Sequence, residues 1–197
     1  MARRALAPIL LLAAATMLTS APAHAESWTH RDATGDVSIL SYFEGTSRPA
    51  PRNTDADVRR VAINHSERAV RLVARVGSMP RSRNMTATVG LKSGVDDLTA
   101  QMVVNREAGR TTVEYYNVHG GQCRRASARF VPNQRKVVVS VPRHCLGDPA
   151  WVRAWFVYTT YVGSEVTATE GAVDDGLRNQ RYREPGHEGW SPRIQVG

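Results

Sequence analysis

The chain has 197 residues, a formal net charge of +8 at pH 7 and only two cysteines. This length suits one domain with a sizeable core, and the positive balance favours anionic partners. Two cysteines exclude a disulfide-dense scaffold and a cysteine-rich metal centre, and after the N-terminal segment no stretch is apolar enough to span a bilayer.

Residues 1–25 have the layout of a secretory signal peptide. Arg3 and Arg4 supply the positive start, Leu6 to Met17 an apolar run, and Ala23-His24-Ala25 a small-x-small cleavage site. The apolar run is shorter than the ~20 residues of a spanning helix. The expected product is therefore a secreted single domain, residues 26–197, in the medium or cell wall. Cys123 and Cys145 read as its disulfide, since an even cysteine count in an exported chain is used that way.

Short alternating runs rich in β-branched residues follow, separated by turn residues, which is the strand signature. The predicted strands are 36–43, 58–65, 69–77, 85–92, 98–105, 111–118, 122–131, 136–141 and 152–162. Val70, Leu72, Ala74 and Val76 share one face, with Arg71, Val73 and Arg75 on the other. Each strand thus has one core face and one wetter face, as antiparallel sheets do. Residues 44–54 and 171–192 read as irregular, 174–183 as a short helix, and 143–150 as a helical turn returning Cys145 toward Cys123. The expected architecture is an all-β antiparallel sandwich of jelly-roll-like form with one disulfide, and a monomer.

At Val141-Pro142-Arg143-His144-Cys145-Leu146-Gly147-Asp148-Pro149, followed by Trp151-Val152-Arg153, the chain resembles a group of secreted β-sandwich proteins of high-GC Gram-positive bacteria. Asp32 to Val37, Asp57 to Val61 and Asn64-His65-Ser66 fit the same group. The resemblance implies a jelly-roll-like domain distantly similar to carbohydrate-binding modules, and it implies no catalytic residue.

Three residue sets carry candidate chemistry. Asp32 and Asp36 flank a glycine-containing turn, Asp55 and Asp57 precede a strand, and Asp174 and Asp175 lie near the C-terminus. They read either as solvated turn caps or as ligands of one structural Ca²⁺ shared by Asp32, Asp36 and Asp174 or Asp175. From Tyr115 to Gly147 there is no acidic residue, while Arg124, Arg125, Arg129, Arg135, Lys136 and Arg143 all fall there. They read as a polyanion site or as a solvated face that blunts a sheet edge. Only Lys92 and Lys136 among the 26 cationic residues are lysines. That bias reflects either bidentate anion recognition or coding composition. Trp151, Trp155 and Tyr161 share one face of a predicted strand, and Phe156 and Tyr158 the other. The first set is a sugar platform or part of the core.

No nucleophile elbow, zinc helix or phosphate-binding glycine loop occurs, so an enzyme is not expected. Export and the lack of a recognition helix argue against nucleic acid. The expected role is non-enzymatic binding of an anionic or carbohydrate polymer. The alternatives are a protein-interaction domain, such as an inhibitor or envelope accessory factor, and a hydrolase built from dispersed residues.

Overall fold

The computed structural model describes residues 26–94, 100–118, 120–162, 168–182 and 186–197. The expected signal segment, Leu98 and His119 lie outside them. Strands β1 (Glu26–Arg31), β4 (Val58–His65), β5 (Ala69–Val76), β9 (Ser127–Val131) and β10 (Lys136–Pro142) form one antiparallel sheet, in the order β1-β4-β5-β10-β9. The second sheet runs β3-β2-β12-β11-β6-β7-β8. Its strands are β2 (Ser38–Ser41), β3 (Ser47–Pro49), β6 (Asn84–Lys92), β7 (Ala100–Glu107), β8 (Arg110–Asn117), β11 (Trp151–Tyr161) and β12 (Glu170–Asp175). A short β13 (Ile194–Gln195) pairs with the start of β11.

Period-two spacing explains how the sheets stack. Val61 and Ile63 of β4, Val70, Leu72 and Ala74 of β5, and Val137, Val139 and Val141 of β10 are buried. So are Met85, Ala87, Val89 and Leu91 of β6 and Ala154, Phe156 and Tyr158 of β11. All belong to one cluster between the two sheets, which makes the fold an antiparallel β-sandwich. Full burial of each Val, Leu, Ile, Met or Phe among them contributes about 1.5–3 kcal/mol, so the alternation is also the main source of stability.

Several segments differ from the sequence expectation. Within 44–54, Ser47–Pro49 forms an edge strand on β2. The described part of 174–183, residues 174–182, does not form a helix: Asp174 and Asp175 end β12, which lies between β2 and β11, and a turn follows. The run 122–131 is a strand only from Ser127, because Cys123 is held by the disulfide and Ala126 N–H closes a turn on the Cys123 carbonyl. Arg143–Leu146 is a 3-10 turn, and it carries Cys145 to Cys123 with Cα atoms 5.7 Å apart.

His65, at the end of β4, is fully buried. Its Nδ1–H donates to the Ile194 carbonyl at 3.0 Å, and Nε2 has no hydrogen-bond partner among the described residues. Burial pushes its pKa below the ordinary histidine value; nearby Arg143 adds to this, and the bond to Ile194 opposes it. Above about pH 6.5 the imidazole is neutral whether the chain is folded or not. As pH falls below that, the unfolded chain binds a proton that the folded chain refuses, so stability drops. His65→Asn offers an amide in place of Nδ1–H but does not titrate. Urea unfolding at pH 7.5 and 5.5 should show the natural protein losing up to about 1 kcal/mol more than the variant. Parallel losses would mean that His65 stays protonated when folded.

Candidate functional site

The outer face of the five-stranded sheet gathers cations from strands far apart in sequence. In register, Arg31 of β1 lies opposite Arg60 of β4, Arg60 opposite Arg75 of β5, and Arg75 opposite Lys136 of β10. Arg71 and Arg129 share the face, two rungs along β5 and one strand further out on β9. The three arginines of the row and both of these are exposed, and Lys136 is half-buried. Neighbouring strands lie about 4.8 Å apart, so the row sets four positive charges side by side. Among the described residues, no acidic side chain shares the face and none of the six forms an ion pair. Like charges directly opposite destabilise a sheet, so the row costs stability when nothing covers it.

The remaining residues of the expected basic hairpin lie elsewhere. Arg124 and Arg125 are exposed in the turn after Cys123. Arg135 closes the β9–β10 turn in a left-handed conformation and donates to the Gly77 carbonyl. Arg143 is tied to its own loop, donating from Nε to the Pro149 carbonyl and from Nη2 to the Asp148 carbonyl. Only Arg129 and Lys136 belong to both the expected patch and the sheet face.

The aromatic strand β11 turns Trp151, Trp155 and Tyr161 to the outer face of the large sheet, while Phe156 and Tyr158 enter the core. The outer residues are covered. Trp155 packs with Tyr182 and Trp190 of the C-terminal segment, Arg153 lies over the Trp190 ring at 5.7 Å, and Arg193 lies over Trp151 at 4.4 Å. The Trp155 indole sits directly on Gly90, where any Cβ would fall 1.9 Å from Nε1. Tyr161 is only 3 % exposed. A sugar ring stacking on this row would first have to displace the tail.

Asp32, Asp36 and Asp174 converge where the chain passes from β1 in one sheet to β2 in the other. One carboxylate oxygen from each lies within 4.8 Å of the others, and all three residues are buried. Asp57, just before β4, is buried beside them. One oxygen of Asp32 accepts from Ala33 N–H at 3.0 Å, one of Asp174 accepts from Val58 N–H at 2.8 Å, and one of Asp57 pairs with Arg59 at 2.7 Å. Among the described residues, the second oxygen of each, and both oxygens of Asp36, are buried and accept no well-formed hydrogen bond from another side chain, while the Gly35 N–H lies by Asp57 and the Asp36 N–H by its own carboxylate. His30 Nε2 stands 3.7 Å from Asp32 and is hydrogen-bonded to Asn179.

Burial, reinforced by Asp174 and Asp36, pushes Asp32 up to about 9. Burial and then Asp36 raise Asp174 to about 8. Asp36 and Asp57 are raised for the same leading reason, burial, and Arg59 opposes it in both. Asp175 points away on the other face of β12. Its oxygens accept from Leu177 and Gly189 N–H, and its pKa is raised to about 6, mainly by burial. It fastens the C-terminal loop and does not join the cluster. Asp55 lies apart, bonded to Ser78 and Arg83.

No family model matches this chain, and no curated protein matches it. Among the described residues, no helix is long and apolar enough to cross a membrane.

Proposed function

We propose that this is an exported β-sandwich that binds a linear anionic polymer of the cell envelope or medium through the outer face of its five-stranded sheet. The observation that carries this reading is the cationic row Arg31–Arg60–Arg75–Lys136, which forms no ion pair among the described residues and is flanked by Arg71 and Arg129. A flat face with charges at strand spacing suits an extended chain with repeated anionic groups. Guanidinium forks suit phosphate and carboxylate alike. The disulfide supports an oxidising compartment, where wall polymers and acidic polysaccharides are available. Covering of the aromatic row weakens the neutral-glycan alternative.

Inorganic polyphosphate and polygalacturonate should bind, and amylose should not. The logarithm of affinity should fall with the logarithm of salt concentration with a slope near −3, the value for about four contacts on a flexible polyanion. Reversing Arg60 and Arg75 together (R60E/R75E) should weaken binding at least tenfold. Reversing Arg124 and Arg125, which lie off the face, should change it less than twofold. Binding that survives R60E/R75E, or that ignores salt, would refute the assignment.

A further inference from the structure

The buried carboxylate cluster stands apart from the cationic face and is unexplained by it. Its ligand atoms come from four separate places in the chain: the end of β1, the crossing to β2, the residue before β4, and β12. Their proximity is therefore imposed by the fold and not by adjacency in sequence. Of the seven buried side-chain polar atoms without a partner among the described residues, five are oxygens of Asp32, Asp36, Asp57 and Asp174. Leaving such atoms unmet is costly, and native folds rarely do so.

Two ways of meeting them need no ligand, and each is incomplete. Protonation, which burial favours, removes charge but leaves the bare oxygens of Asp32, Asp36 and Asp174 without a donor from another described residue. Among the described residues, arginine neutralisation is limited to Arg59, which engages one oxygen of Asp57 and reaches none of Asp32, Asp36 or Asp174 as an ion pair. The pattern instead resembles a prepared ligand set. In Asp32 and Asp174 one oxygen is anchored by a backbone N–H, and the other is presented bare. That is how outer partners orient metal ligands.

We propose that Asp32, Asp36 and Asp174, with Asp57 beside them, form a Ca²⁺ site that clamps the two sheets at the β1–β2 crossing. The donor set is all carboxyl oxygen, with no cysteine and no imidazole among the three, which selects a hard cation. Free oxygens from four side chains and a surrounding loop suit the high, irregular coordination of calcium better than the small octahedron of magnesium. Asp36 also borders a cleft of about 660 Å³, lined further by Thr34, Ser38 and Asn179, so only that lining separates the buried oxygens from solvent.

The test uses the folded protein stripped with EDTA. Titration calorimetry with CaCl₂ should show one ion per chain. The melting temperature should rise by about 5–10 °C at a calcium concentration about 100 times Kd. Asp36→Asn is the cleanest variant, because among the described residues no other residue donates a hydrogen bond to either Asp36 oxygen. It should weaken calcium binding at least tenfold, and Asp174→Asn should do the same. If either variant fails to fold, the calcium and magnesium titrations of the natural protein still decide. Equal melting temperatures in EDTA and millimolar calcium, an equal response to magnesium, or full calcium binding by both variants would overturn the site. Polymer binding measured in EDTA and in calcium separates this result from the fate of the cationic face.

Discussion

Replacing Cys123 and Cys145 together by alanine should lower stability by about 3 kcal/mol and the melting temperature by roughly 6–12 °C. The two cysteines are 22 residues apart, a span for which chain-entropy reasoning gives a loss of that size. The position of the bridge adds a local cost. It joins the turn entering β9 to the turn leaving β10, at the edge of the five-stranded sheet. Tyr115 Oη and Asn117 Nδ2, from edge strand β8 of the other sheet, both donate to the Cys145 carbonyl at 3.0 Å. The bridge thus fixes an acceptor that holds the two sheet edges together. Thermal unfolding with and without reductant, followed by circular dichroism, tests this. The variant should still show a strand spectrum at low temperature, because the core cluster does not depend on the bridge. An unchanged midpoint would mean that those hydrogen bonds alone fix the edge.

Much of the architecture is written in local pattern, and the exceptions have definite causes. Strands β4 to β8, β10 and β11 show alternation strong enough to read from the sequence. β12 does not. Its sequence, Glu-Gly-Ala-Val-Asp-Asp, reads as a loop because glycine and aspartate are poor strand formers in isolation. It is a strand because it pairs on both sides, with β2 and β11, and its alternation then turns Asp174 toward the carboxylate cluster and Asp175 toward the C-terminal loop. The choice between them as cluster members turns on strand parity, which cannot be read once the segment is mistaken for a helix. β1 and β3 were hidden because edge strands carry polar residues on both faces.

The cationic face was hidden for a different reason. Linear charge density singled out 115–147, but the row that forms takes one residue from each of four strands, the first and last of them over 100 positions apart. Arg71 and Arg75 are legible as a pair on one strand face. Arg31 and Arg60 join them only through pairing across strands, and no one-dimensional pattern records that. The glycine opposite Trp155 was the signal available for the covered aromatic row, since a lone glycine in a strand marks a close approach.

Phe156→Ala is expected to be the most damaging single truncation, costing about 3–5 kcal/mol. Phe156 is fully buried in the middle of β11, paired with Val89 of β6 and packed toward Val58 and Val61 of the opposite sheet. Gly176 lies alongside, and a Cβ there would come within 3.1 Å of the Phe156 ring and 2.7 Å of Val58. Surroundings this tight, drawn from both sheets, cannot collapse far into the space left by the ring, so the cavity cost adds to the lost transfer free energy. Such a loss is a large part of the 5–15 kcal/mol that holds an ordinary domain folded. Thr159→Ala, three residues along the same strand but on the outer face, should cost less than about 1 kcal/mol. Urea midpoints for the two variants compare the faces directly. Similar losses in both would contradict the assignment of even positions of β11 to the core, and with it the stacking of one sheet on the other.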